Sequence, residues 1–433
     1  MRLTQVLCKM TNYRIFKLRW EQQKRKRAPL SKEYLHVSKL GLPTVNATEY
    51  LEKAKEGVVP IEFDSDVRPA EPLFETLKFD ESHPDYRANT CYCLDDTNVL
   101  LEGLEHSKLL LNSVQIQEGL PKEVEDSVGT QSVPFQDTRV KRLIMYANVF
   151  DSMQVLLPKR KDPERPAWNF PRDYGIDSKR KFCMNKNEPY INAFSHLTIT
   201  QMLQLCDFVD GKASLALRSQ VPDAYCCANV EKEGHPIQIQ NRADILVTSK
   251  VPIAPLTQRS AGNSIPLPDL HPLKFNVSIP KQHFYHNRSI FPISKEFLKS
   301  HPHTAFFHFD PVEVKNLYEE PVTESQFLSR TVVKAFAVAA ARAQQLHGDN
   351  VKQLPEPITI QAVHTDNRRF HFAVLQLNTL DLDATAQEKN IVWMLPQAID
   401  LFSECGYVKG RPVLEEYNPE VFQRILSFYC NGL

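Results

Sequence analysis

Apolar residues recur at helical spacing in the last third of the chain, and they predict two helices there. Thr323 and Gln326 stand three positions apart, as the two polar residues of a capping box do, and an alanine-rich stretch then continues to Gly348. A second helix is predicted to begin at Asn418, which a proline and an acidic residue follow, and to end at Gly432. Its buried face is expected to hold Val421, Phe422, Ile425, Leu426 and Phe428.

Between these two helices the hydrophobic period changes to two, which is the period of a β-strand. Residues 358–363 and 370–377 flank the turn sequence Thr365-Asp366-Asn367, and together they predict a β-hairpin. Residues 305–309 predict a further strand, which ends before Pro311.

Two more strand patterns occur upstream. Ile237 and Ile239, followed by residues 243–247, predict a pair of short strands. A four-residue alternation with polar neighbours then predicts a strand with one buried face; it consists of Leu273, Phe275, Val277 and Ile279.

Helical periodicity also marks three segments in the first half of the chain. One helix is predicted to be capped by Asp96 or Thr97 and to continue to about Asn112. The others are predicted at 137–150 and at 197–218. The helix at 137–150 is expected to bury Val140, Leu143, Ile144 and Ala147.

Long helices mixed with antiparallel hairpins, without regular alternation of strand and helix, indicate an α+β fold. We expect a mixed sheet with antiparallel hairpins packed against long helices, plus an extended N-terminal arm. Repeated prolines and the lack of sustained periodicity assign the arm to residues 28–90. Residues 91–433 are expected to form a single large body, in which 158–195 is a polar, proline-rich segment.

Charge is distributed very unevenly along the chain. The first 27 residues hold nine Lys or Arg and one acid, Glu21, whereas the rest has 43 basic and 51 acidic residues. An arginine-bearing, amphipathic and acid-poor leader is typical of mitochondrial import, so we expect residues 1–27 to direct the protein to the mitochondrial matrix. A basic start without a role and a nuclear localisation signal at Lys24-Arg25-Lys26-Arg27 are the alternatives.

Composition and motifs argue against several classes of protein. The longest apolar stretches are far shorter than the roughly 20 residues of a membrane-spanning helix, so no membrane insertion is expected. With 13 glycines against 30 prolines and neither glycine-rich phosphate-binding motif, a nucleotide-driven enzyme is disfavoured. Nine irregularly spaced cysteines indicate reduced thiols rather than a disulfide framework. No catalytic, metal-binding or cofactor-binding residue is therefore assigned, and no cofactor is expected.

One histidine-rich segment leaves an enzymatic alternative open, that of a metal-dependent matrix hydrolase. Its ligands would be His301, His303, His308 and Asp310, of which positions 301 and 303 would share one face of a strand. The adjacent pair Phe306-Phe307 indicates a core strand, and Pro302 indicates a turn, so ordinary core positions are the favoured interpretation.

Basic clusters beyond the leader are candidates for contacts with RNA phosphates. A body with about eight net negative charges should not bind RNA strongly by itself, so we expect local contacts inside a larger particle. The candidate residues are Lys159, Arg160, Lys161, Lys179, Arg180, Lys181, Arg368 and Arg369.

Several segments together resemble the family of mitochondrial large-ribosomal-subunit protein thirty-seven. They are residues 354–395, which include NTLDLD, AVAAARAQQLHGDN at 337–350, PHTAFF at 302–307, LLEGLEHSKLLLNSVQIQEGLP at 100–121, and the ending FQRILSFYCNGL. Their order and spacing match over roughly 80–433, strongly in the last hundred residues and weakly between about 125 and 270.

The resemblance implies a structural, non-enzymatic component of the mitochondrial large ribosomal subunit that supports mitochondrial translation. It also implies partners, namely mitochondrial rRNA and large-subunit proteins, especially the paralogue called programmed-cell-death protein nine in a heterodimer. The alternative is that the chain is this paralogue itself, but the NTLDLD and LLEGL segments favour the thirty-seven family.

Overall fold

A computed structural model describes residues 36–37, 39–41, 81, 83–147, 193–209, 211–310, 314–383, 385–408 and 411–433. The chain divides into two units, Met1–Leu77 and Lys78–Leu433. Residues 36–41 of the first unit include a short helical turn, and all elements named below belong to the second unit. The predicted leader, most of the predicted arm and most of the 158–195 segment lie outside the described residues, so this division of the chain stays a prediction.

Ten strands form one mixed sheet, in the order β2-β9-β8-β7-β6-β4-β1-β5, with β3 paired to β4 and β10 paired to β8. The pairs β1–β4, β2–β9 and β6–β7 are parallel, whereas the other pairs are antiparallel. The strands are β1 (Tyr86–Leu94), β2 (Ser113–Gln115), β3 (Arg218–Lys232), β4 (His235–Ser249), β5 (Lys281–Phe284), β6 (His301–His308), β7 (Gln353–Thr365), β8 (Arg369–Thr379), β9 (Asn390–Met394) and β10 (Ile399–Asp400).

Helices cover both faces of this sheet, and a separate small hairpin pairs β11 (Glu404–Val408) with β12 (Arg411–Glu415). The helices are α1 (Gly103–Leu110), α2 (Lys122–Ser127), α3 (Gln136–Ala147), α4 (Ala193–Cys206), α5 (Gly211–Leu217), α6 (Glu324–His347) and α7 (Pro419–Cys430), and a 3-10 turn lies at Arg259–Gly262.

Two large hydrophobic cores result, one on each face, because successive residues of a strand point to opposite sides, and a third, smaller cluster includes Phe309 and Phe327. On β8, Ala373 packs in the core that contains α6, whereas Phe372 and Val374 pack in the core that contains α3, α4 and α7. The central strands are buried on both faces, which is why they read as nearly continuous apolar runs. Helices with a mixed sheet of antiparallel hairpins confirm the predicted α+β class.

Helix α6 lies in the interior of the second unit and is buried on every side from Gln326 to Gln344. Its many alanines allow the sheet to approach closely on one side, while α1 and residues near Phe275 and Phe291 cover the other. The predicted capping box is confirmed: the Gln326 amide donates to the Thr323 hydroxyl at 3.3 Å, and the Thr323 amide donates to the Gln326 side chain at 3.0 Å. The helix ends at Gly348, as predicted.

Three other local predictions are confirmed. The hairpin β7–β8 turns at residues 366–368, and α7 begins with the Asn418 side chain accepting from the Glu420 amide at 3.0 Å. Helix α3 buries the four predicted apolar residues, and α7 buries all five predicted for it.

Other local predictions are wrong. Ile237, Ile239 and residues 243–247 belong to one long strand, β4, whose partner β3 was not predicted. Residues 273–279 form successive turns instead of a strand, with the Val277 amide donating to the Lys274 carbonyl at 3.2 Å. They still bury Phe275 and Ile279, which is why the alternation resembled a strand.

The two helix predictions at 96–112 and 197–218 are corrected in their limits. Asp95 accepts from the Thr97 amide at 2.7 Å and closes a turn, so the first helix begins only at Gly103. The second region is divided between α4 and α5, and Arg218 already belongs to β3.

Candidate functional surfaces and buried polar clusters

The four residues of the suggested metal site do not come together as a ligand set. Nε2 of His303 lies 2.9 Å from the carbonyl oxygen of Asn431, next to the end of α7. The pKa of His301 is instead lowered by burial and by the positive charge of Arg342 on α6. Burial lowers the pKa of His303 to about 3 and that of His308 to about 4, with Arg218 adding to the effect at His303. Within the part of the chain that the structure describes, no three His, Cys, Asp or Glu side chains are grouped to hold a metal ion.

The candidate phosphate-binding residues at the β7–β8 turn have acidic neighbours of their own. Arg368 is exposed and pairs with Asp400 at 3.3 Å. Arg369 pairs with Asp366 at 2.9 Å and with Glu324 at 3.3 Å, and its guanidinium lies 4.9 Å from the ring centre of Phe327. Arg369 is therefore held as part of the fold, and Arg368 is the more accessible of the two. The candidates at 159–161 and 179–181 lie outside the described residues.

An ionic cluster beneath α6 was not predicted from the sequence. Lys334 forms an ion pair with Asp96, and the Arg330 guanidinium donates to the carbonyls of Asn98 and Asp96 at 2.7 Å each. Burial raises the pKa of nearby Asp244 to about 7, although Lys334 lowers it in part. These contacts join the loop after β1 to α6 and β4.

Two buried histidines adjoin this cluster on the hairpin strands. Since Nε2 of His371 lies 3.1 Å from the Leu395 carbonyl, that nitrogen carries the proton, and Nδ1 accepts from the Thr331 hydroxyl at 2.8 Å. The His364 ring stacks on Phe327 with 4.3 Å between centroids. Burial lowers the pKa of His371 to about 4 and that of His364 well below its ordinary value, so both rings are neutral.

Lys232 is a third buried cation with a structural partner. Its ammonium donates to the Leu109 carbonyl at 2.8 Å, near the C-terminal end of α1, and to the Leu382 carbonyl. A cation suits this position because helix C-termini carry partial negative charge. Burial lowers the pKa of Lys232 to about 8.

The buried polar groups described above share one property, which is that their partners lie within the chain. Each of the buried groups Lys232, Arg330, Lys334 and His371 bonds to the protein itself, and none lines a pocket large enough for a substrate. A cleft of about 110 Å³ lies between α2 and α7, and its polar lining includes Ser127, Ser427 and Glu123. The two serines bond to each other and to the Val124 carbonyl, an arrangement that joins the helices.

An exposed stripe on α3 combines aromatic and basic side chains. Arg139, Arg142 and Tyr146 are spaced three and four residues apart, so they share one face of α3, and Phe135 immediately precedes the first residue of the helix; we call these four residues the α3 stripe. Phe208, just after α4, lies beside it, with the Arg139 guanidinium 5.4 Å from its ring centre. The spacing of these four residues is visible in the sequence, but the prediction for this helix used only the apolar residues of its buried face.

Two further features of the described residues are the state of the cysteines and the length and hydrophobicity of the helices. No disulfide joins the cysteines that the structure describes. Among those same residues, no helix combines the length and hydrophobicity needed to cross a bilayer.

Comparison with known proteins gives two kinds of match. The profile of a family described as "Mitochondrial 28S ribosomal protein S30 (PDCD9)" matches residues 303–432. "Large ribosomal subunit protein mL37" of Rattus norvegicus is 26% identical over 375 residues, which is 84% of this chain and 80% of that protein. The protein of the same name from Mus musculus is 27% identical over 80% of this chain and 77% of its own length, and that from Gallus gallus is 25% identical over 81% and 76%.

The names of these matches refer to different ribosomal subunits. The family description refers to a 28S protein, whereas each relative is named as a large-subunit protein. The relatives match most of the chain, while the family profile is confined to the region from β6 to α7, so the longer matches carry more weight. They confirm the resemblance to the thirty-seven family.

Proposed function

We propose that this chain is a structural component of the large subunit of the mitochondrial ribosome and supports mitochondrial translation through contacts, without catalysis. The observation that carries the proposal is the similarity over 84% of the chain to a large-subunit protein that is itself matched over 80% of its length. Similarity over so large a share of both chains supports a common role for the whole chain more strongly than one shared motif would.

The interior of the body supports a structural role. Its buried charges bond to backbone carbonyls and to each other, as in the contacts of Lys334 with Asp96 and of Arg330 with Asn98. Buried polar groups that bond within the fold favour one arrangement of helices and strands, and a rigid body of this kind is suited to hold neighbours in a particle. The metal-dependent hydrolase loses its support, because His301 and His303 have separate surroundings.

The partners follow from the proposed location. Large-subunit ribosomal proteins and mitochondrial rRNA are the neighbours of any protein of this particle. More specifically, we propose that the body pairs with its paralogue, programmed-cell-death protein nine, because the family profile that carries this name also matches the centre of this sheet. Two chains with a common sheet centre can form a pseudo-symmetric interface.

The basic leader belongs to the same proposal. Residues 1–27 would direct the chain into mitochondria, and the basic clusters at 159–161 and 179–181, with Arg368, would contribute local phosphate contacts. A fluorescent fusion of residues 1–30 checks the address: it should enter mitochondria, and nuclear accumulation would instead support the signal at Lys24-Arg25-Lys26-Arg27.

Sedimentation tests the central proposal. A tagged full-length chain should sediment with large-subunit rRNA when mitochondrial lysates are separated on a sucrose gradient. EDTA treatment, which separates the subunits, should leave it with the large subunit. Tagged protein found only at the top of the gradient would contradict the proposal. Migration with the small subunit would also contradict it and would agree with the 28S name of the family profile.

Cross-linking tests the proposed paralogue contact separately. Lysine-reactive cross-linking of purified large subunits, followed by mass spectrometry, should yield peptides that join this chain to the paralogue. Cross-links to other large-subunit proteins without any to the paralogue would exclude the pair but leave the ribosomal location intact.

A further inference from the structure

Phe135 is placed in a way that packing within the chain does not explain. Its side chain is 81% exposed, and its backbone has φ +56°, in the left-handed region that bulky residues rarely adopt. Both features cost free energy, yet the ring contributes nothing to either core. An exposed aromatic residue on a strained backbone suggests a role outside the fold.

The neighbours of Phe135 extend this observation to a surface. Phe208, which follows the end of α4, is 68% exposed, and the guanidinium of Arg139 lies over its ring. Arg142 continues the stripe as an exposed cation, and Tyr146 completes it at the end of α3. Exposed aromatic rings therefore border two arginines along about three turns of helix.

Charge decides which kind of partner fits this surface. Helix α3 carries three cations, Arg139, Lys141 and Arg142, and one acid, Asp137. Asp137 accepts from the Tyr417 hydroxyl at 3.4 Å, and Asp207 at the end of α4 accepts from the Tyr429 hydroxyl, so these two carboxylates have partners inside the protein. Lys141 lies 5.0 Å from the ring centre of Tyr417. The surface is thus cationic on a chain whose body is otherwise acidic.

From this arrangement we infer that the α3 stripe and Phe208 bind a single-stranded or looped segment of rRNA. Unpaired bases stack on exposed aromatic rings, and arginines between the rings bind phosphates or stack on bases themselves. A double helix would offer phosphates but no free base faces, so it does not account for Phe135 and Phe208. An acidic protein segment would use the arginines but gains less from flat, separated rings. This inference rests on the proposed ribosomal function.

Cross-linking to RNA inside the particle tests the inference directly. Large subunits that contain the tagged full-length chain are irradiated at 254 nm, digested with ribonuclease and protease, and analysed for peptides that carry nucleotides. We expect nucleotide adducts on the peptides that contain Phe135, Tyr146 or Phe208. In the variant Phe135→Ala/Phe208→Ala, adducts in this region should decrease about tenfold, since stacking on one ring changes affinity by about that factor or more.

A second variant and a matched control separate this surface from effects on folding. Arg139→Glu/Arg142→Glu should lower the salt concentration at which the chain is washed from the particle, because each lost phosphate contact weakens binding and the new carboxylates repel the phosphates. Leu317→Ala/Tyr318→Ala removes two exposed side chains from a loop elsewhere and should leave adducts and salt release unchanged. Equal thermal unfolding of all variants verifies that the fold is retained.

The possible outcomes distinguish this inference from the proposed function. Sedimentation with the large subunit, without adducts near the stripe and with unchanged salt release in both variants, overturns the inference but not the function. Cross-links from the stripe to a protein, in place of nucleotide adducts, also overturn it. Failure of the unmodified chain to sediment with the subunit would instead overturn the proposed function.

Discussion

Lys334 in the middle of α6 forms a buried ion pair with Asp96, which lies in the loop that follows the first strand of the sheet. The pair joins parts of the chain that are 238 residues apart. Lys334 also lies near Asp244. Burial lowers the pKa of the Lys334 ammonium, and the charges of Asp96 and Asp244 partly oppose this effect. One cation therefore holds the loop, the central helix and β4 in a fixed arrangement.

Removing that cation should be costly. We expect Lys334→Met to lower the free energy of unfolding by about 3 kcal/mol, because it leaves Asp244 and the partly exposed Asp96 without their cationic partner. Asp96 is partly exposed, so Asp96→Asn should cost less. Chemical denaturation of the purified full-length chain measures both.

A double-mutant cycle checks that the two effects share one cause. The combined variant should be more stable than the sum of the single losses predicts, by at least about 1 kcal/mol. Lys108→Met, which breaks a surface pair with Glu105, serves as the control and should change stability by no more than about 0.5 kcal/mol. Additive losses at Lys334 and Asp96 would show that the ion pair is not what stabilises this region.

Acid should destabilise the body through its buried histidines. The pKa of His371 is about 4 in the folded chain because burial disfavours the charged ring, against about 6.5 when unfolded. The unfolded state then binds more protons between these values, so stability is complete above about pH 6.5 and falls as pH decreases towards 4. One such histidine accounts for up to about 3 kcal/mol, and His303 and His308 act in the same direction.

Unfolding free energies measured between pH 7.5 and 4.5 test this account. His371→Gln should lower stability at pH 7, because the bonds to Thr331 and the Leu395 carbonyl are altered. Its pH dependence should nevertheless be flatter than that of the unmodified chain. Two parallel curves would show that His371 does not contribute to the acid sensitivity.

Gly103 should tolerate no side chain. Its φ is +57°, and a Cβ placed on it would lie 2.7 Å from the Ser325 carbonyl carbon and 2.9 Å from the Gln326 nitrogen, which are backbone atoms of α6. We expect Gly103→Ala to cost about 2–5 kcal/mol, the sum of backbone strain and steric overlap.

Gly119 is the matched control for this substitution. It also has positive φ, +84°, but a Cβ there meets nothing within 4 Å. Gly119→Ala should therefore cost only the backbone component, about 1–2 kcal/mol. Equal losses for the two variants in thermal or chemical unfolding would contradict the proposed contact between α1 and the start of α6.

The two arginines of the hairpin turn should differ in their effects. Arg369→Ala is expected to lower the free energy of unfolding by about 1–2 kcal/mol, because it removes two ion pairs and a cation–π contact with Phe327. Arg368→Ala should stay within about 0.5 kcal/mol, since its pair with Asp400 is exposed. If Arg368 binds rRNA, its variant should instead be washed from large subunits at lower salt.

Local signals in the sequence were sufficient for the elements that begin and end with their own caps. Thr323 and Gln326 bond to each other, as do Asn418 and the Glu420 amide, so neighbouring residues determine where α6 and α7 begin. The β7–β8 hairpin is likewise closed by adjacent residues. Such elements need little information from the rest of the chain.

Elements that depend on distant partners were missed or misjudged. Strand β3 contains Pro222 and alternates irregularly, and its pairing with β4 along their full length is what makes it a strand. The segment around Phe275 and Ile279 has the alternation of a strand, but turns bring its apolar residues to the core.

The candidate sites show the same limit. A lysine or an aspartate in a sequence is usually solvated, so nothing local identified Lys232, Lys334 or Asp244 as buried. Conversely, the grouping of His301, His303 and His308 in sequence suggested a metal site, yet their side chains have separate partners in the fold. Contacts between distant segments decided each case.

The position of α6 has a consequence for the order in which this protein can fold. Four neighbouring strands of the sheet, β9, β8, β7 and β6, and the buried helix α6 all come from residues after 300. Strands made earlier can pair with one another, as β3 does with β4, but both cores contain many residues from the last third of the polypeptide, so neither core closes until that part has emerged from the ribosome or the import channel. A chain that stops near residue 300 would expose the apolar faces of β3 and β4, and it would be a substrate for chaperones and proteases instead of an assembly partner.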